Sequence, residues 1–443
     1  MLPPSRPDSQ LGTEGRNHRG VSLMSSTETV SSPVSFRELL RKYDGILYPA
    51  FLYAVAMVII LSGIWVGKNY VARGWEYVSS DTTQVLATMW DAKRLTSIAT
   101  EGYSWNGDPH KIQNIAYFPL YAVVEKILGV VFPLSNPLTL LAPAVLFGLV
   151  SAWAFYRLAG RLLGENPARV ALAAYLFYPG NVFFVRAYPV SLMNLLAILT
   201  LLALIEGKIW KAALWSGIGS AAGPLMVFLS LTVVIKWAAD QWNSLSPAAG
   251  SMVSKLANRL PLAAVFSLMA FSGFFFFLLY QVVAFHDPFA FIKVQEAWEK
   301  SGSLIQRVYN FFFLKNMVAQ HHPTHFVQAI THGNLKHMDM HVHYLINLFM
   351  LLVFAGLLWL QRKAVPWYFT LFALLFLGGY WWFMASVSGI KATVRLIYPV
   401  IPAFLGVGVL QERHPEFARV SVILFAALSF LESELMMEGF WVI

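Results

Sequence analysis

The stretch Phe118–Phe132, FPLYAVVEKILGVVF, decides how this chain is threaded. It is apolar but only 15 residues long, with Glu125 and Lys126 near its middle. Crossing the hydrocarbon core takes roughly 20 apolar residues. The stretch therefore reads as an interfacial or re-entrant helix rather than a span. If it crossed, the basic segment at 157–169 and every later connection would change sides.

With that stretch excluded, apolar runs predict spans near 47–67, 137–159, 168–186, 189–206, 211–223, 224–239, 261–285, 344–361, 366–386, 395–410 and 418–435. The short connections on the N-terminal side then carry Arg157, Arg161, Arg169, Lys208 and Lys211, followed by Lys236, Lys255 and Arg259. Arg362, Lys363, Arg413 and Arg419 complete the set. Basic residues gathered on one side mark that side as cytoplasmic. The expectation is an all-α polytopic membrane protein of about 11 transmembrane helices. Two long segments, 68–136 and 286–343, lie on the outer side, the first holding amphipathic or re-entrant helices.

Composition agrees. The chain has 443 residues, 57% hydrophobic and 12% charged, where soluble domains carry about 25% charged residues. Its formal charge of +9 comes from 32 Lys+Arg against 23 Asp+Glu. In a membrane protein that excess suits the positive-inside bias and anionic lipid, and no nucleic-acid partner is expected. The absence of cysteine rules out disulfides, thiolate metal sites and a cysteine nucleophile. Residues 1–36, rich in Ser, Pro, Arg and Gly, read as a disordered cytoplasmic tail ahead of a membrane domain at 37–443. They lack the apolar core of a signal peptide, and Met24 is an alternative start. No Gly-rich phosphate loop follows a strand pattern, and no internal repeat of the transporter kind is visible.

The first long segment contains Met89–Tyr103, MWDAKRLTSIATEGY. Trp90, Leu95, Ile98 and Ala99 fall on a rough helical stripe, which predicts an amphipathic helix over 81–100 on the outer leaflet. From such a helix Asp91 can point into a cavity between the spans and accept a hydroxyl proton as general base. The plainer alternative makes it a solvated residue or the local ion-pair partner of Lys93 or Arg94.

Trp90-Asp91, Ile98-Ala99, Gly102-Tyr103 and Ala116-Tyr117-Phe118-Pro119-Leu120-Tyr121 follow in order within this loop. The block resembles the first outer loop of the PIG-V family of mannosyltransferases, within the GT-C class of membrane glycosyltransferases. Weaker echoes are YRLAGRLLGENPARVALAAYLFYPGNVFF, HDPFAFIKVQEAW and VRLIYPVIP. Two family motifs are changed. Tyr188-Pro189-Val190-Ser191 lacks the family's acid, and Ala221-Ala222-Gly223-Pro224 stands where the family has Thr-Arg-x-x-Gly. Arg94 and Leu95 also replace preferred aromatics.

The resemblance implies a GT-C-like fold and transfer of mannose from a polyprenyl- or dolichyl-phosphate donor to a lipid or protein hydroxyl. Asp91 would be the base, and the reaction would invert the sugar carbon. The loop would face the periplasm if the membrane is a bacterial plasma membrane, or the lumen if it is that of the endoplasmic reticulum. Cations for the phosphate are sought among Lys93, Arg94, Arg186, Lys391 and Arg395. Arg395, at the outer end of a span, is divided evenly between that role and snorkelling. Trp90, Tyr103, Tyr117 and Tyr188 are candidate substrate contacts. No cofactor is assigned with certainty, and seven of the 11 histidines lie in 321–343. His337 and His341, one helical turn apart, keep a divalent metal open as an alternative. The lost acid and arginine keep open a second function, a catalytically impaired relative that binds lipid-linked sugar or serves as an assembly subunit. A lipid or solute transporter is a third.

Overall fold

The computed structural model describes residues 36–70, 81–244, 259–297, 304–313, 335–385 and 392–437, with single positions between 324 and 333. No strand occurs among the described residues. Backbone amides in lipid have no water to bond, so uncharged runs of Leu, Val, Ala and Phe satisfy them internally as helices. Residues 1–43 form one unit, of which the helical backbone from Phe36 is described, and residues 44–443 form the other. The expected tail at 1–36 lies almost wholly outside the described residues.

Helix α1 (Phe36–Tyr70) precedes two short helices, α2 (Thr82–Thr88) and α3 (Asp91–Thr100), and then α4 (Pro119–Leu128). The chain continues through α5 (Pro137–Leu163), α6 (Glu165–Phe177), a 3-10 segment at Pro179–Val185, α7 (Val190–Ile205), α8 (Ile209–Gly219) and α9 (Val227–Asn243). Next come α10 (Leu260–Ala270) and α11 (Ser272–Phe285). Two shorter helices, Ala290–Lys293 and Leu304–Phe313, lead to α12 (Leu335–Gln361) and α13 (Trp367–Ala385). The four-residue α14 (Thr393–Leu396), α15 (Pro402–Arg413) and α16 (Pro415–Met437) complete the fold.

Among the described residues five helices are long and apolar enough to cross a membrane alone: Asp44–Tyr70, Pro137–Leu163, Pro224–Asn243, Trp367–Met384 and Pro415–Met437. Two pairs qualify only together: α6 with its 3-10 segment, bent by 69°, and α10 with α11, bent by 76°. The protein is thus all-α and multi-pass, as its composition indicates. The expected spans fall on helical segments, with 168–186, 261–285 and 395–410 each divided between two, and these criteria give five to seven spans among the described residues where eleven are expected. Part of the shortfall is one of length. Helices α7 and α8, with 16 and 11 residues, reach only about 24 and 17 Å at 1.5 Å per residue.

Phe118–Phe132 holds only the ten-residue α4, in keeping with its reading as a non-spanning helix. The single helix expected over 81–100 is instead two, broken at Met89-Trp90. Arg157, Arg161 and Lys208 converge on Glu206, and Arg169 pairs with Asp44 at 2.9 Å. Basic residues from separate connections thus lie together, as a shared side requires. The first and last helices meet where Gly63 and Gly67 face Phe430–Glu434. A methyl on either glycine would run into the α16 backbone. Small residues four apart permit this close approach where no water drives association.

Candidate active site

The site begins with a backbone reversal. Asp81 caps α2, accepting from the amides of Thr83 at 2.9 Å and Gln84 at 3.3 Å. The helix ends at Thr88, and Trp90 turns the chain at φ 56, so that Asp91 becomes the first residue of α3. A carboxylate there is favoured by the free N–H groups of the first turn. A bulky residue at positive φ costs on the order of 1–3 kcal/mol and persists only where its surroundings hold it. Here the Trp90 ring lies 4.7 Å from the Arg186 guanidinium. The amide of Asp91 donates to the Tyr188 hydroxyl at 3.1 Å.

Both oxygens of the Asp91 carboxylate are engaged. The Tyr117 hydroxyl donates to Oδ1 at 2.6 Å, and Arg395 Nη1 donates to Oδ2 at 2.7 Å. Burial, and then the Asp91 charge, push the Tyr117 hydroxyl well above its ordinary range, so it stays protonated and donates. Arg395 belongs to α14, which is entered through a second left-handed residue, Ala392 at φ 54. The Asp91 partner is therefore Arg395. Lys93 is exposed and Arg94 half-buried, and neither pairs with a carboxylate among the described residues.

Arg186 is fully buried. It donates to the Met89 carbonyl at 3.1 Å and approaches Met436 Sδ at 3.2 Å. The Tyr188 ring lies between the two cations, 4.8 Å from Arg186 and 5.3 Å from Arg395. Phe183 is 5.7 Å from each. Among the described residues no carboxylate pairs with Arg186, so Asp91 is the one carboxylate bonded within the cluster, and it is bonded to Arg395. Gly180 permits this convergence, because a methyl there would sit 2.8 Å from the Val394 carbonyl. The strand-like turn at 186–188 is tied to α2 by Ala187 N–H donating to Leu86 O at 3.3 Å.

Two buried amides set the shape of the loop that delivers Tyr117. Asn114 Oδ1 accepts from Ser104 N at 2.8 Å, and its Nδ2 donates to Gly102 O at 2.9 Å. Gln113 accepts from Asn106 N and donates to Asp108 O. Tyr103 donates to the Tyr117 carbonyl at 2.8 Å and packs on Phe277 and Tyr280. Beside Tyr103 opens an apolar groove of about 540 Å³, between α3 and α4 on one wall and α11 with the end of α8 on the other. Leu120, Val123, Phe276 and Tyr280 line it, with Lys126 at its edge. Leu120 N–H donates to Ala221 O at 2.9 Å, joining α4 to the bend after α8. Behind the groove Glu125 is buried with neither oxygen hydrogen-bonded, and burial raises its carboxyl to about 8.

Asp91, Trp90, Tyr117, Arg186, Tyr188 and Arg395, all singled out in the sequence, thus meet in one place, with Tyr103 one contact removed. Lys93 and Arg94 stand apart from the cluster. His337 and His341 lie on α12, their side chains outside the described residues, as is Lys391 entirely. Among the described residues no group of three His, Asp or Glu is placed to hold a metal. Phe183, Asn114 and Met436 are structural partners that sequence reading missed. Asn114, three residues ahead of Tyr117, carried some signal, and Met436 carried none.

The fold and site define a multi-pass helical membrane protein whose first long loop brings Asp91 and Tyr117 to Arg395, beside Arg186 and Tyr188. No protein-family model matches the chain, and no curated protein matches it, so the PIG-V resemblance rests on the motifs quoted above. Two solved structures of ArnT from Cupriavidus metallidurans are similar to it. The apo structure is 17% identical with a TM-score of 0.44, covering 84% of this chain and 61% of that one. The structure bound to undecaprenyl phosphate is 16% identical with a TM-score of 0.44, covering 84% and 62%. The chain thus spans about three fifths of the length of these structures.

Proposed function

We propose that this protein is a membrane glycosyltransferase of GT-C type that uses a polyprenyl- or dolichyl-phosphate sugar, with Asp91 as general base. The observation that carries the reading is the cluster itself, a carboxylate within hydrogen-bonding distance of one cation, with a second cation against the same Tyr188 ring. An acceptor hydroxyl attacks the sugar carbon and the carbon–oxygen bond to phosphate breaks. The hydroxyl proton passes to Asp91, and polyprenyl phosphate leaves with the bonding electrons. Attack opposite the leaving group inverts the sugar carbon. Arg395, backed by Arg186, stabilises the charge that builds on the phosphate.

The groove beside Tyr103 suits the isoprenoid tail, since its lining is almost wholly apolar and the Tyr103–Tyr117 contact leads from it to Asp91. Mannose as the sugar follows from the first-loop resemblance, as does an active site on the periplasmic or lumenal face. A second reading, a relative that binds the lipid-linked sugar without transferring it, draws support from Tyr188-Pro189-Val190-Ser191, which carries no acid.

The test is transfer of labelled mannose from polyprenyl-phosphate-mannose to a membrane lipid extract, comparing wild type with Asp91→Asn. Turnover by wild type and a loss of about a hundredfold or more in the variant is expected for a missing general base. Equal turnover in the two would remove Asp91 from the mechanism. Donor binding without turnover by wild type would leave the second reading.

A further inference from the structure

Asp91 is ready for catalysis in its position but not in its bonding. Oδ1 accepts from Tyr117 and Oδ2 from Arg395, so the oxygen nearest the cation is already occupied. The same guanidinium is the one best able to reach a phosphate, because the Arg395 side chain retains 14% exposure and that of Asp91 24%, whereas Arg186 is fully buried. One group is therefore claimed twice, by the carboxylate now and by the lipid phosphate during reaction.

The local chain is built to let it move. Arg395 sits on a helix of four residues that begins just after left-handed Ala392. Its guanidinium packs on the faces of Tyr188 and Phe183, which attract a cation without fixing its direction. The rest of the Asp91 anchorage does not depend on it. The backbone N–H is bonded to Tyr188, and Oδ1 is bonded to Tyr117. With two guanidiniums against one carboxylate among the described residues, an added anion complements the site, and a phosphate offers Arg395 a paired acceptor of the same geometry.

Building on the glycosyltransferase reading, we propose that the Asp91–Arg395 ion pair is a latch opened by the donor. The lipid phosphate draws the Arg395 guanidinium off Oδ2, and that oxygen then receives the acceptor hydroxyl. Departure of the lipid phosphate restores the pair. The base is thus exposed only when a sugar donor is bound, which orders the reaction, donor first and acceptor second.

The test is a double-mutant cycle on binding, with no turnover involved. The affinity of purified protein in nanodiscs for polyprenyl phosphate is measured for wild type, Asp91→Asn, Arg395→Gln and the double variant. If phosphate and carboxylate compete for Arg395, Asp91→Asn tightens binding by about tenfold, and the same change in the Arg395→Gln background alters it by less than about twofold. Equal tightening in both backgrounds would mean simple repulsion between Asp91 and phosphate. It would overturn the latch and leave the glycosyltransferase reading standing, as would an affinity unmoved by Asp91→Asn. No binding by wild type would overturn the glycosyltransferase reading, and the latch with it. Asp91→Ser, which keeps a hydroxyl for Arg395 and Tyr117, replaces Asp91→Asn should the asparagine variant fail to give monodisperse protein.

Discussion

Replacing Glu125 with Gln should change how stability depends on pH. The Glu125 carboxyl is buried on α4 without a hydrogen bond, and burial raises it from 4.5 to about 8. The fold therefore keeps it protonated, while the unfolded chain releases the proton near 4.5. A raised native value contributes stability that is fully present below about 4.5, falls as pH rises, and is lost above about 8. Each pH unit inside that window is worth about 1.4 kcal/mol, so wild type loses about 3–4 kcal/mol between pH 5 and pH 8. An amide does not titrate, and Glu125→Gln omits that slope. The assay is thermal unfolding in nanodiscs at pH 5, 6, 7 and 8. The variant's midpoint should rise relative to wild type by about 4 °C across the series, taking average unfolding entropies for a chain of this size. Midpoints that run parallel with pH would refute the burial argument. Because α4 also forms one wall of the groove, lipid binding by wild type should weaken in step at alkaline pH.

Other outcomes follow from the same contacts. Tyr117→Phe removes one of the two donors to the Asp91 carboxylate, and turnover in the transfer assay should fall about ten- to hundredfold with donor affinity little changed. Arg186→Gln should weaken polyprenyl phosphate binding about tenfold, and Arg186→Lys should not restore it, because an ammonium lacks the planar face that stacks on Trp90 and Tyr188. Ala392→Gly relieves a left-handed alanine and should raise stability by about 1 kcal/mol in a thermal melt. Gly180→Ala forces a methyl against the Val394 carbonyl and should cost about 1–3 kcal/mol, with activity falling as Arg395 is displaced.

Much of this architecture is legible in the amino-acid order because lipid imposes simple rules. Phe118–Phe132 is too short and too charged to cross, and α4 is correspondingly brief. The bends are harder to see. Tyr178-Pro179 carries a breaker, and Ser272-Gly273 is a pair known to kink helices, yet both lie inside uninterrupted apolar runs that read as single spans. The break at Trp90 has no signal, since tryptophan is neither a turn residue nor a helix breaker. It exists because Arg186 and Tyr188, almost a hundred residues later, hold the reversed backbone in place. Asp91 and Arg395 are each identifiable from local context, but their pairing joins residues 304 apart, and no local pattern encodes that. Glu125 argues in the sequence only against a span. Its burial depends on how α4 packs on α5, a tertiary fact.

The contact between Arg186 and Met436 bears on how the protein is made. Met436 belongs to the final turn of α16, while Arg186, Trp90 and Asp91 belong to the first half of the chain. A ribosome delivers these parts in order, so the cluster stays open on one side until α16 has been inserted. A chain made only as far as α15 lacks that closing side chain, together with the α16 surface that receives Gly63 and Gly67. Closure of the site therefore follows insertion of α16, whatever the order in which the earlier helices pack.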